Sequence, residues 1–267
     1  DVILDKAGSK GTGKWTSEAA LDLPEPIPTI DMAVMMRNVS ALKEERLLAA
    51  KLYSSELKKV DSLKEQLISE THDALLFATV ISYAHGLSML AKASELLKME
   101  IPLGEVIRVW SGGCIIRSGL LNLFAKAFTK NPKLENLLLD EEVASLLKNK
   151  KNGLRRVVSL AMLNDYPVSA LSASLNYFNA YSRERLPTNL IQAQRDYFGS
   201  HTYERTDMPG IFHTDWQHDE KDKRKQAHGV DAVGQRGHVF PAGFARELSG
   251  LPGIEEVPDK NRDRCSR

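Results

Sequence analysis

The sequence predicts an all-α fold: a large helical bundle built around one long buried helix, with an extended, poorly structured C-terminal tail. Three observations predict it. Residues 74–91 form an uncharged run of 18 residues, apolar on all sides, as in the central helix of a bundle. Met32, Met35, Met36, Val39 and Leu42 recur at the spacing of one helical face. No series of short alternating strands and no repeated strand–helix unit is visible.

The elements follow in order. Asp31 is placed to cap the helix that carries the methionine stripe, with Pro28 just upstream. Residues 61–98 read as one long helix. Thr79, Ser82, Tyr83 and His85 inside it, and His72 and Asp73 before its apolar run, favour a protein interior over a bilayer. His85 is expected to be a hydrogen-bonded core residue. Pro102 and Gly104 open the next helix, which ends at Gly112-Gly113, and a second apolar segment runs over 114–128. Cys114, within that segment, reads as a buried structural thiol. Residues 137–147 and 154–163 read as two helices. A further helix over 167–181 carries Val168, Leu171, Leu175 and Phe178 at helical spacing, and the last spans 187–198 with Pro187 near its start. Beyond Trp216 acids and bases alternate over 218–225 without an apolar face, so 217–267 is expected to have little fold of its own.

Composition narrows the function. Lys and Arg total 36 against 35 Asp and Glu, a net charge of +1. That lacks the basic excess of a nucleic-acid or membrane-surface protein. Cys114 and Cys265 cannot build a disulfide framework, which favours a reducing compartment, the cytoplasm.

The first chemical feature is Gly8-Ser9-Lys10-Gly11-Thr12-Gly13-Lys14-Trp15. It nearly satisfies a P-loop, but Trp15 stands where a magnesium-binding hydroxyl is required. Its glycine order also departs from the dinucleotide fingerprint. Small residues, two lysines and a helix start expected at Thr16-Ser17-Glu18 suit close approach to an anion. A solvated surface turn fits the spacing equally well. Arg37 flanks the methionine stripe, where it either lines a pocket or snorkels to solvent. Arg195 and His201 sit six residues apart across a helix end and a glycine, positions that helix dipoles also favour. His213, His218, His228 and His238 lack any zinc-type spacing, and no metal site is expected.

Four motifs together resemble the decarboxylating 6-phosphogluconate dehydrogenase family. They are Lys10-Gly11-Thr12-Gly13-Lys14-Trp15-Thr16, Gly112-Gly113-Cys114-Ile115-Ile116-Arg117-Ser118, Arg195-Asp196-Tyr197-Phe198-Gly199-Ser200-His201-Thr202-Tyr203, and His213-Thr214-Asp215-Trp216. The resemblance runs from Asp5 to Trp216. It implies an all-helical domain over 1–186, a last helix and substrate-completing segment over 187–216, and a divergent extension over 217–267. It also implies that an NADP-holding Rossmann domain, with the catalytic lysine and glutamate, lies upstream of Asp1.

In that family 6-phosphogluconate is oxidised at its 3-hydroxyl by hydride transfer to NADP. The 3-keto acid is then decarboxylated to give ribulose 5-phosphate, in the pentose phosphate pathway, without a metal. Carried over by position, Lys10, Thr12 and Arg37 match substrate contacts. Arg195 and His201 match contacts that one subunit's tail makes in the other subunit's site, which implies a homodimer. Lys14 is left as a structural or secondary electrostatic residue. Ser111 departs from the bulkier residue expected before the glycines. This chain alone is expected to be inactive. The alternative is a stand-alone helical phosphate- or nucleotide-binding or oligomerisation protein derived from the family.

Overall fold

The computed structural model describes residues 2–53, 60 and 63–216; the expectation for 217–267 lies outside them. The chain divides into two compact units, one ending at Arg183 and one beginning at Glu184.

In the first unit the described helices are α1 (Thr12–Asp22), α2 (Pro28–Ala41), α3 (Lys43–Tyr53), α4 (Lys64–Leu96), α5 (Leu103–Ser111), α6 (Leu120–Lys130), α7 (Glu141–Leu163) and α8 (Ser169–Tyr181). A 3₁₀ turn at Leu137–Leu139 precedes α7. The long apolar helix is α4, and it packs chiefly on α7 and α8. Phe77, Val80, Ile81, Ala84 and Leu87 are fully buried with Ile107, Leu121, Phe124, Leu137, Leu147 and Leu154. Each large side chain among them contributes about 1.5–3 kcal/mol on burial. Length and composition alone would let α4 cross a membrane, but these residues are the core of a bundle.

The structure departs from the sequence expectations at several points. The first concerns α7, which is one continuous helix where two were expected. Asp140 accepts from the backbone N–H groups of Glu142 and Val143 at 3.0 Å, so the helix begins there. Gly153 does not break it. A Cβ at Gly153 would lie 2.6 Å from Asp73 Cβ and 3.0 Å from the Glu70 carbonyl oxygen, so glycine lets α7 approach α4. Lys150–Asp73 (2.7 Å) and Arg156–Glu70 (2.6 Å) ion pairs flank that approach.

Second, the methionine stripe of α2 is not its buried face. Met35, Met36, Val39 and Leu42 are exposed, whereas Thr29 and Val34 are buried and Arg37 is half-buried. Thr29 pairs with Ser174 of α8 (Oγ1 to Oγ, 3.0 Å), which turns that face inward. Pro28 is itself the first helical residue, and Asp31 lies in the first turn without capping it. Third, the 114–128 segment is helical only from Leu120. Gly113, at φ 141°, turns the chain outward after α5, and Cys114 is exposed.

Fourth, His85 is buried as expected, but neither ring nitrogen has a hydrogen-bond partner. Its ring meets Tyr177 edge-on with centroids 4.3 Å apart. Burial pushes its pKa down to about 4, so the ring is neutral. Fifth, α3 is a helix the periodicity did not reveal, because none of its residues is buried. Its end is tied to the N-terminal segment: Lys43 and Arg46 reach the Asp5 carboxylate at 2.5 and 2.6 Å. Hydrogen bonds from Lys43 and Arg46 pull the Asp5 pKa down to about 2.

The second unit consists, as described, of α9 (Thr188–Gly199) followed by a small antiparallel hairpin, β1 (Tyr203–Glu204) with β2 (Ile211–Phe212).

Candidate functional site

The glycine-rich opening is a helix N-terminus. Gly11, at φ 95°, is the residue before α1, and Thr12 is its first residue. The helix therefore starts four residues earlier than the sequence suggests, because glycines that read as a loop supply the left-handed entry. No side chain caps this end, so its first N–H groups remain available to an anion. Lys10 and Thr12 are both exposed beside it. The segment leading in is held to α2 by the Ala7 N–H, which donates to Ser40 Oγ at 3.0 Å. Lys14 pairs with Glu18 at 3.2 Å.

Arg37 comes to the same place from α2. A Cβ added to Gly13 would lie 3.3 Å from Arg37 Nη1 and 3.0 Å from Val34 Cγ2. The guanidinium thus occupies space that only a glycine in the first turn of α1 leaves free. Its Nε is buried without a hydrogen-bond partner. A cation with unmet hydrogen-bonding capacity, set against a helix N-terminus that also carries Lys10 and Thr12, has the chemistry to take an anion.

In the second unit Arg195 and His201 are both exposed near the C-terminal end of α9. Arg195 Nη1 donates to Gln192 Oε1 at 3.2 Å. The His201 ring lies against Gly199, where a Cβ would be 3.0 Å from its Cδ2 and Nε2.

Sequence reading missed Asp196. It is fully buried and accepts four hydrogen bonds: from the Thr202 N–H (2.9 Å), His213 Nδ1 (2.8 Å), the Thr214 N–H (2.9 Å) and Trp216 Nε1 (3.0 Å). Burial acts to raise its pKa, but the bonds from Thr214, His213 and Trp216 outweigh it and hold the carboxyl below its usual range. This carboxylate folds the two motifs around 195–203 and 213–216 onto one another. Only the recurrence of donor residues in the second motif could have signalled it. Among the described residues no group of three or more His, Cys, Asp or Glu could hold a metal ion; His218, His228 and His238 lie outside those residues.

The family model for the 6-phosphogluconate dehydrogenase C-terminal domain matches residues 1–216. The chain belongs to this family. Among curated relatives, the NADP(+)-dependent decarboxylating 6-phosphogluconate dehydrogenase of Bacillus subtilis is 48% identical over 217 residues, 81% of this chain and 46% of the relative. An Oryza sativa 6-phosphogluconate dehydrogenase is 47% identical over 219 residues, again 81% of this chain and 45% of the relative. A solved Plasmodium falciparum 6-phosphogluconate dehydrogenase superposes with a TM-score of 0.77 at 44% identity, covering 81% of this chain and 47% of that one. That protein is described in its apo form, with NADP+ and with its substrate 6-phosphogluconate. The chain spans about half the length of the curated relatives it matches.

Proposed function

We propose that this chain is the substrate-binding and dimerisation part of an enzyme that oxidatively decarboxylates 6-phosphogluconate to ribulose 5-phosphate with NADP in the cytoplasm. The observation that carries the reading is Arg37 lying on Gly13 at the uncapped start of α1. A phosphate dianion matches that cradle. Arg37 offers a planar fork of donors, Lys10 a point charge, Thr12 a hydroxyl donor, and the helix start its N–H groups. Two copies are needed in this account. Residues 187–216 of one subunit bring Arg195 and His201 to the phosphate held by the other, and residues 1–186 form the helical body.

Holding the phosphate fixes the far end of the sugar acid and presents its 3-hydroxyl and carboxylate to the reacting groups. NADP, when bound, accepts the hydride. The residues described do not fit that cofactor's pyrophosphate, because no strand leads into the glycine-rich helix start.

The test is steady-state kinetics of the holoenzyme, this chain together with its cofactor domain. Arg37→Ala or Lys10→Ala should raise the KM for 6-phosphogluconate by about 10–100-fold, the loss of one charge-assisted contact. The chain alone should not reduce NADP. Wild-type kinetics in both variants, or tight magnesium-dependent ATP binding by the chain, would remove the reading.

A further inference from the structure

We propose that Gln192 is the positioning residue that sets Arg195 and His201 at a fixed spacing for one phosphate. The inference rests on the reading of those two residues as substrate contacts. Its structural basis lies wholly within the second unit.

Gln192 is three residues before Arg195 on α9, so both side chains lie on one face of the helix. Its carboxamide works at both ends. Oε1 accepts from Arg195 Nη1 at 3.2 Å, and Nε2 donates to the Thr202 carbonyl oxygen at 2.6 Å. The orientation of the amide is not arbitrary. A guanidinium can only donate and a backbone carbonyl can only accept, so each end has one possible partner type.

The second bond acts on His201 through the backbone. Ser200 and Thr202, on either side of it, have left-handed φ values of 52° and 58°. For residues with a Cβ that conformation costs about 1–2 kcal/mol each, so surrounding bonds must hold it. Ser200 N–H donates to the Asp196 carbonyl oxygen and Thr202 N–H to Asp196 Oδ1, both at 2.9 Å. The Gln192 amide holds the Thr202 carbonyl. His201 is thus carried between two pinned residues, and the group that pins one of them also restrains the Arg195 side chain. A restrained arginine loses less rotamer freedom when it takes up an anion.

No other side chain of similar size does both tasks. Leucine matches the bulk and bonds to neither partner. Glutamate retains an acceptor for Arg195 but sets a carboxylate against the Thr202 carbonyl, and its charge competes with the phosphate for the guanidinium.

The experiment is a double-mutant cycle on the holoenzyme with Gln192→Leu, Arg195→Ala and the two changes combined, with Gln192→Glu alongside, reading KM, kcat and Tm. The expected result is a rise in KM for 6-phosphogluconate of about 5–20-fold for Gln192→Leu, with kcat changed less than about threefold. Gln192→Glu should raise KM further. The combined variant should exceed Arg195→Ala in KM by less than Gln192→Leu exceeds wild type, because only the part of the effect that runs through Thr202 and His201 remains once the arginine is gone. If Arg195→Ala raises KM while Gln192→Leu leaves it alone, or lowers only Tm and kcat, the positioning role is overturned and the site reading stands. If Arg195→Ala itself leaves KM unchanged, the site reading falls and this inference with it.

Discussion

The Arg37 guanidinium and Gly13 share one space: α2 delivers the cation to within 3.3 Å of the position a Gly13 Cβ would occupy. Glycine in the first turn of α1 is therefore a demand of the arginine, not of the helix. A residue with poor helix propensity is retained where a side chain from another helix must lie against the backbone.

Gly13→Ala should accordingly displace Arg37 rather than unfold the protein. The new methyl would meet Val34 Cγ2 at 3.0 Å and the guanidinium at 3.3 Å, and the arginine is the partner able to move. We expect a several-fold rise in KM for 6-phosphogluconate in the holoenzyme. The gain of up to about 1 kcal/mol in helix propensity should offset the contact with Val34, leaving Tm within a few degrees. A large fall in Tm with unchanged KM would contradict this assignment.

Asp196→Ala should release the hairpin from the end of α9. Four part-buried donors would lose their acceptor, at a cost of roughly 1–3 kcal/mol in local stability. Amide exchange at Thr202 and Thr214 should accelerate, and Trp216 fluorescence should shift as its indole N–H loses the carboxylate. The wild-type contribution is present above the ordinary carboxyl pKa of 3.8 and is lost as pH falls through the lowered folded value. Protected amides in the variant would show that other contacts hold the hairpin.

Much of this architecture was legible in the sequence, and the failures share a cause. The uncharged run of α4 announced itself because a helix buried on all sides needs no charge. The break expected between 147 and 154 falls on a polar stretch ending in Gly153, where a close approach between two helices leaves the same glycine as a helix end would. α3 gave no signal because it buries nothing. Arg37 was recognisable as a cation beside an apolar stripe, although the stripe proved to be the exposed side. Asp196 and Gln192 were illegible for a different reason. Their partners lie at separations of 3 to 20 residues with no period, and only the folded backbone brings them together.

His85 makes stability fall in mild acid. Its folded pKa of about 4 lies below the ordinary 6.5, so between those values the unfolded chain binds a proton that the folded chain refuses. Stability should decline as pH falls from 6.5 and level off near 4, by on the order of 3 kcal/mol for this site. His85→Leu should abolish that part of the slope in urea-unfolding curves compared at about pH 7 and about pH 4.5. An equal loss in both proteins would assign the slope to other groups.

Gly153→Ala should be among the more damaging single-methyl changes. The methyl would sit 2.6 Å from Asp73 Cβ and 3.0 Å from a backbone oxygen, and neither can move without shifting α4. Overpacking of this kind costs about 1–3 kcal/mol. Calorimetry should show a lower Tm, with KM for 6-phosphogluconate little changed in the folded holoenzyme. An unchanged Tm would mean that the two helices separate freely.

In the proposed enzyme Arg37 of one subunit and Arg195 of another bind one phosphate. Mixing subunits tests it most directly. Arg37→Ala and Arg195→Ala holoenzymes, each nearly inactive at low 6-phosphogluconate, are dissociated together and reassociated. Half of the randomly formed dimers are mixed, and each mixed dimer has one intact site, so activity should recover to about a quarter of the wild-type value. No recovery, in mixtures shown to contain the mixed dimer, would contradict the account.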